Sequence, residues 1–365
     1  MDTSEADAGV PNLPEEASWF EWAGVGLPRG ELPRLFGAMT ALKAQSGLQS
    51  VRFFGKVLGT KSDYYVVEGT RAGGSEGGTA AEAAAAGATP AEAPGTGLNT
   101  HVYFVARDPS AAFVRLPDVL PAQVVAAMQI KKYLTGELEA PVKSYPAFPG
   151  SERHYLRAQI ARIAAATVLV PAGKLAVDDE AEGEPKPLVA SEDFAAKSAA
   201  EMEEADNWVH RLGGVLRSGR ATNPPVAEDE EAEDAEEEVA ALAPVSGDAP
   251  VADPLPDSGT ATPAWSLTRY CPQARDAAVV VAKSNRWPGA FSAVVGGKHA
   301  NLYIGYGAEA TAAPFTPAAP PLILREAAEV EEQPDVALEV ENAVLKEIDE
   351  LRIQAEAADE EPQEE

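Results

Sequence analysis

Apolar positions along the chain switch between two periods, and the switches mark its parts. From Leu32, the residues Leu35, Phe36, Met39 and Leu42 recur at helical spacing and Gly47 supplies a stop, which predicts a helix. The following stretch, VRFFGKVLGTKSDYYVVEG, holds two runs rich in β-branched and aromatic residues around Gly59-Thr60-Lys61-Ser62-Asp63. That pattern predicts a hairpin over 51–68. His101 to Ala106, HVYFVA, reads as a third strand returning to the same sheet.

The middle of the chain changes to the longer period. Pro121 to Leu134 presents Val124, Val125, Met128, Lys131 and Leu134 on one side, with Gly136 as a closing signal. SYPAFPG, Ser144 to Gly150, is a rigid connector. Ser151 then caps a helix whose buried face is Leu156, Ile160 and Ile163, with Arg157 on a different face beside Ala161. A further helix is expected from Ser191 to about Leu216, through Phe194, Met202, Trp208, Val209, Leu212 and Val215. Its last turns are weakened at Gly213-Gly214 by roughly 1 kcal/mol per Gly.

Beyond Pro263 the period returns to two. WSLTRYC, AAVVVAKS, AFSAVV and NLYIGYG read as strands broken by Trp287-Pro288-Gly289 and Gly296-Gly297-Lys298, an antiparallel meander. Val340, Val344, Ile348 and Leu351 then mark a terminal helix with charged outer faces. The fold class expected is α+β, an antiparallel sheet built from the early hairpin and the late meander around a helical middle block. Because the sheet draws on both ends of the chain, one composite core is expected.

Composition sets the boundaries. Arg71 to Leu98 is Gly, Ala, Pro and Glu with little to bury, and reads as a flexible insertion at 71–98. Asp178 to Pro187 is acidic, and 223–263 is an acidic, Pro-rich linker containing EDEEAEDAEEE at Glu228 to Glu238. The organisation expected is a disordered N-terminus over 1–18, a helix-rich region over 19–222 and that linker. An antiparallel β region over 264–320 and an acidic helix and tail over 321–365 complete it.

Charge narrows the function. Across 365 residues, 29 Lys and Arg stand against 58 Asp and Glu, a net charge of −29. Nucleic-acid binding needs clustered positive charge and is disfavoured, as is attachment to an anionic membrane surface. No apolar run approaches the ~18 residues of a membrane span, and the acidic start lacks the apolar segment of a signal peptide. A single cysteine, Cys271, excludes an intrachain disulfide framework and points to a reducing compartment.

The usual carriers of chemistry are missing from the sequence. Gly296-Gly297-Lys298 lacks the spacing of a phosphate loop and reads as a hairpin turn, and Gly24-Val25-Gly26 with Gly30 reads as a turn. His101, His154, His210 and His299 are isolated in sequence, so no metal and no cofactor is expected. Cys271, before Pro272, reads as a buried structural thiol. The acidic runs lack the frame of a calcium-binding loop. A hydrolase site assembled only by the fold stays open, as does an acidic chaperone-like binder of basic proteins working through Glu228–Glu238 and the tail. The residues themselves favour an interaction protein.

FFGKVLGTKSDYYVVEG, the block VYFVARDPSAAFVRLPDVLPAQVVAAMQIKKYLTGELEAPVKSYPAFPG, HYLRAQIARIAAAT, NWVHRL, SNRWPGAF and NLYIGYG occur in this order, separated by acidic spacers. The series resembles the radial spoke head protein four/six family over about Trp19 to Pro320. Radial spoke head protein nine is similar in the hairpin and the WPG turn, but poorly so through KKYLTG and LRAQIARI. The resemblance implies a non-enzymatic structural subunit of the radial spoke head in the axoneme of motile cilia and flagella, a cytoskeletal structure of the cytoplasm. It implies that the head faces the central pair, contacts it transiently and passes signals toward dynein. It implies as partners other head subunits, the paralogue and radial spoke head protein nine among them, with pairing as a homo- or heterodimer. It carries over no catalytic residue.

An interface is expected around Trp287 and Pro288 in the WPG turn and Tyr303 and Tyr306 in NLYIGYG. A large aromatic at a turn either fills a partner's pocket or packs in the chain's own core.

Overall fold

The structure, a computed structural model, describes residues 9–71, 89–178, 186–223, 241–251, 262–271, 278–310 and Lys346. The chain divides into two units, Met1–Pro314 and Phe315–Glu365, and the elements named below belong to the first. The expected terminal helix through Val340, Val344, Ile348 and Leu351 lies outside the described residues, as do Glu228–Glu238 and the acidic tail.

Among the described residues of this unit there are four α-helices: α1 (Leu13–Phe20), α2 (Leu32–Ser46), α3 (Pro121–Gln129) and α4 (Glu152–Thr167). The strands are β1 (Ser50–Val57), β2 (Tyr64–Thr70), β3 (Val102–Ala106), β4 (Val114–Arg115), β5 (Leu169–Pro171) and β6 (Leu175–Val177), followed by β7 (Leu188–Ala190), β8 (Trp208–His210), β9 (Trp265–Tyr270), β10 (Val279–Ser284), β11 (Ala290–Val295) and β12 (Lys298–Gly305). Eight of them form one sheet in the order β4-β3-β2-β1-β12-β11-β10-β9. The early hairpin and the late meander are each antiparallel, and they join where β1 runs parallel to β12, Gly55 opposite Tyr303 and Val57 opposite Gly305.

Both faces of this sheet are covered, which is why its strands read as nearly unbroken apolar runs. Phe53, Tyr65, Val67, Phe104, Phe291 and Leu302 pack toward α1 and α2. Phe54, Tyr64, Val66, Tyr103, Val105 and Tyr303 pack toward α3 and α4. α4 is the central helix, with Leu156, Ile160 and Ile163 fully buried as expected. Arg157 is buried too: its Nη2 donates to the Leu98 carbonyl at 2.7 Å, and its guanidinium lies 4.7 Å from the centre of the Tyr103 ring. A smaller core around Trp208 joins β5, β8 and the outer strands of the meander.

Several expectations change. α1 (Leu13–Phe20) begins within 1–18, the stretch expected to be disordered, because Leu13, Ala17, Trp19 and Phe20 give it a buried face and Asn12 accepts the Glu15 N–H. The helix expected over 191–216 does not form. Met202 lies in a tight 3₁₀ turn and Trp208 to His210 pair with β5, so tertiary pairing overrides a loose apolar spacing. α3 ends at Gln129, short of Leu134.

The composition-defined fillers are also not uniform. Within 89–98, the buried Glu92 accepts the N–H groups of Leu98, Ala221 and Thr222 and staples two distant segments. Within 241–251, Val245 is buried against Trp208. The acidic stretch 178–187 is flanked by β6 and β7, which pair antiparallel. Cys271 is exposed, against the expectation of a buried thiol. It follows the last residue of β9, an edge strand of the sheet.

Candidate functional site

The four residues singled out by sequence come together at one end of β12, and they divide into supports and surface. Trp287 is 2% exposed and packs in the core beneath α4, its backbone N–H donating to the Ser284 hydroxyl at 3.0 Å. Tyr303 is equally buried, and its hydroxyl accepts the Gly307 N–H at 2.8 Å. Pro288 is exposed, and Tyr306 is 55% exposed. Trp287 and Tyr303 are thus interior residues of this chain, and Pro288 and Tyr306 are the two of the four that reach its surface.

Tyr306 does not stand alone. Tyr133, 60% exposed, meets it edge to face with ring centres 5.3 Å apart. Two exposed tyrosines held in contact carry large apolar area with little side-chain entropy left to lose. Tyr145, 82% exposed, lies further along the same connector. Nothing in the sequence distinguishes Tyr133, which lies within a stretch that reads as helix.

The mounting of this pair is rigid, and a carboxylate explains it. Glu152, the first residue of α4, is buried and accepts hydrogen bonds from the backbone N–H groups of Thr135, Gly136 and Glu137 and from the Tyr64 hydroxyl. The N-terminus of a helix already favours a carboxylate. Here the carboxylate also gathers the three amides that end the KKYLTG loop, which is why the chain leaves the helical path after Gln129. Leu134 is buried, and its carbonyl accepts the Thr60 N–H at 2.8 Å, tying the loop to the β1–β2 turn. Gly136, at φ +96, packs against Ser62 so closely that a Cβ would collide with it. A lone Glu after a helix-capping Ser looks like any first-turn acid, so no sequence signal marks this role.

On the other side, the chain after β12 folds back along the WPG turn. The Ala310 N–H donates to the Arg286 carbonyl at 2.7 Å, and the Glu309 carboxylate joins Arg286 to Arg162 of α4. Arg162 also lies over the Trp287 ring, 5.1 Å from its centre. Burial lowers the Arg162 pKa, and Glu309 opposes that shift. Arg162, Trp287, Arg286 and Glu309 thus clamp the turn, and the clamp spans three separate chain segments.

Past Pro288 the surface opens into a cleft of about 530 Å³ between Gly24-Val25-Gly26 and the strands, floored by Phe291 and Ile304 with Lys283 at its side. Its lining holds no carboxylate, histidine or cysteine. Elsewhere, His210 contacts both Asp248 oxygens at 3.0 Å, yet its Nδ1 meets no hydroxyl or thiol among the described residues. Among the described residues no group of three or more His, Cys, Asp or Glu is placed to hold a metal ion, and no helix is long and apolar enough to cross a membrane. What this end of the molecule presents is a pair of exposed tyrosines in contact, carried on hydrogen-bonded loops.

Comparison with known proteins gives the same family along most of the chain. The sequence profile of the family described as radial spokehead-like protein matches residues 1–86 and 78–342. Human radial spoke head protein 6 homolog A is 36% identical over 94% of this chain and 56% of its own length. Human radial spoke head protein 4 homolog A is 34% identical over 93% of this chain and 53% of its own. Flagellar radial spoke protein 4 of Chlamydomonas reinhardtii is 37% identical over 88% of this chain and 72% of its own. The chain spans about half the length of the mammalian relatives it matches.

Proposed function

We propose, on the premise that this chain belongs to the radial spokehead-like protein family, that it is a non-enzymatic structural subunit of the radial spoke head in the ciliary or flagellar axoneme. Its work is to hold other subunits in place. Those partners are other head proteins, a paralogue and radial spoke head protein nine among them, with self- or cross-pairing into a dimer. Through the assembled head it engages the central pair transiently and so bears on dynein-driven motility.

The observation that carries this reading is a family match running over nearly all of a chain whose most developed surface is a contact face. Tyr306 and Tyr133 project from loops pinned by Tyr303 and Glu152, a design suited to repeated loading, because rigid aromatic anchors need no reordering on contact. The cleft beside Pro288 carries Lys283, Ser284 and Asn285 among its polar lining and no acidic residue, histidine or cysteine, so it adds no acid–base or nucleophilic pair in support of the catalytic alternative.

The test is to tag the protein and fractionate axonemes from cells that have spokes and from cells that lack them. Recovery with spoke-bearing axonemes and loss from spokeless ones is the expected result. Equal recovery from both would place the protein elsewhere in the axoneme.

A further inference from the structure

The cleft of about 530 Å³ beside Pro288 lies within the size range of ligand sites, ~300–1,000 Å³. Its lining sets one cation beside an apolar floor. Lys283 of β10 is exposed and makes no hydrogen bond or ion pair with another described residue. Its cross-strand partner on β11 is Phe291, which floors the cleft together with Ile304 of β12. The opposite wall is backbone. Gly24, Val25 and Gly26 follow α1 and the tight turn after it, and no backbone hydrogen bond among the described residues uses the Gly26 N–H or these three carbonyls. The acids nearby are engaged elsewhere: Glu21 pairs with Arg29 at 3.0 Å, and Glu309 with Arg286 and Arg162.

We propose that this cleft docks a short extended segment of a partner protein in which large apolar side chains alternate with carboxylates. An apolar side chain of the segment covers Phe291 and Ile304, and a carboxylate reaches the Lys283 ammonium. Its backbone meets the free N–H and carbonyl groups of the Gly24–Gly26 wall, as in recognition by strand addition. Charge selects this occupant. On a chain of net charge −29, an unpaired lysine above an apolar floor with no acid in the lining complements an acidic segment, and not a basic one. An exposed ion pair is worth little by itself and is screened by salt. Affinity therefore comes from the apolar floor, and Lys283 supplies the preference for acid.

The experiment uses the full chain and a fluorescein-labelled hexapeptide of alternating Leu and Glu, read by anisotropy at low and at physiological salt. One control peptide has Gln in place of every Glu, and another has Ala in place of every Leu. The Leu–Glu peptide should bind, and each control should bind about tenfold more weakly. Lys283→Glu should weaken binding of the Leu–Glu peptide about tenfold, since reversal adds repulsion to a lost attraction, and abolish its advantage over the Leu–Gln peptide. Gly26→Trp obstructs the cleft from its wall and should abolish binding. A Cβ at Gly26 meets only the Glu21 Cγ, at an ordinary 3.8 Å, so the fold accommodates it. Gly37→Trp, on α2 where a Cβ meets nothing within 4 Å, should leave binding unchanged. Arg34→Glu, an exposed charge reversal on the same helix, should alter affinity less than about twofold.

No binding of the Leu–Glu peptide, equal binding of either control peptide, or binding that survives Gly26→Trp would each overturn the proposal. So would an equal loss in Gly37→Trp. Sedimentation velocity that finds the parent dimeric and Gly26→Trp monomeric would overturn it in favour of a second copy of this chain in the cleft. Gly26, Lys283, Gly37 and Arg34 are all exposed, and circular dichroism checks that each variant folds. A partner of any origin with this chemistry fits the cleft, so docking here and localisation with radial spokes are tested, and fail, separately.

Discussion

Gly55 of β1 lies opposite Tyr303 of β12 at the seam where the two antiparallel halves of the sheet meet as parallel strands. A side chain at Gly55 would run into the Tyr303 carbonyl oxygen, so the seam closes only because residue 55 has no Cβ. The β1–β2 register also shifts between Phe53 and Gly55, so that Val57 joins Phe54 in the core beneath α3 and α4 instead of following Val51 and Phe53 to the other face. Gly55→Ala should therefore destabilise the fold by about 1–3 kcal/mol through backbone displacement at the seam. Chemical denaturation measures it, and a loss under ~0.5 kcal/mol, the size of a surface effect, would mean the strands part there without cost.

Ile160 tests the opposite face of the sheet. It is fully buried on α4, within the core that also holds Phe54, Tyr64 and Trp287. Ile160→Ala should cost about 2–5 kcal/mol, the loss of buried methylene groups plus the cavity left behind. A urea midpoint unchanged from the parent would show α4 to be loosely packed.

Much of this architecture was readable in the residues, and the reasons it was or was not are specific. α2, the early hairpin, the late meander and the apolar face of α4 announce themselves because each keeps one period long enough to exclude the other. The parallel seam does not, since no local pattern says that β1 will neighbour β12, more than two hundred residues away. The anchoring of Tyr133 was hidden for a related reason: Glu152 acts on backbone amides, which look alike in any sequence. Trp287 was located but its direction was not, as a turn aromatic can face either way until α4 and Glu309 are placed around it. The supposed helix through Met202 and Trp208 shows the converse, apolar residues spaced loosely enough to be captured by β5.

Acid should destabilise the protein through two half-buried histidines, His101 and His299. Burial, aided by Arg211 and Arg52, pushes His101 from its ordinary 6.5 down to about 4, although Glu68 opposes this. Burial likewise lowers His299 to about 3. Both are neutral in the folded state, so their contribution is present above the unfolded value of 6.5 and is lost as the pH falls toward the folded values. Glu16 works against them. Burial raises it to about 7, so its contribution is present below its unfolded 4.5 and is lost as the pH rises through 7. With two groups against one, the melting temperature should fall between pH 7 and 4.5, and Glu16→Gln should steepen that fall. A melting temperature that rises over this range in the parent would reverse the sign and sink the argument.

Glu68 sets a second, more acidic step. Burial alone would raise its carboxyl, but Arg211 and Arg52, with His101 beside them, hold it well below the usual carboxylate range. Its contribution stands above the unfolded carboxylate value and is lost only as the pH drops through the depressed folded one. Glu68→Gln should destabilise the protein at neutral pH, leaving two guanidinium groups buried against a neutral amide. The same substitution should flatten the stability profile at the acid end. Thermal melts of parent and variant that run parallel down to the lowest accessible pH would show that Glu68 is not the titrating group.

The sharpest contrast lies between Trp287 and Tyr306, two aromatics at the same end of the molecule. Trp287 is buried under Arg162 and Tyr306 is more than half exposed against Tyr133. Trp287→Ala should lower the stability of the isolated chain by about 3–5 kcal/mol, the usual loss for a core tryptophan. It should also loosen the turn that Glu309 clamps, so assembly would suffer as a consequence of misfolding. Tyr306→Ala should leave stability within about 0.5 kcal/mol of the parent, because its side chain is more than half exposed. If the tyrosine face is a subunit contact, that variant stays folded and no longer co-sediments with other spoke head proteins. Combining it with Tyr133→Ala should add little further loss, since the two rings act as one surface and their effects are coupled. Should Tyr306→Ala keep both stability and assembly while the double variant also assembles, the contact face lies elsewhere on the chain.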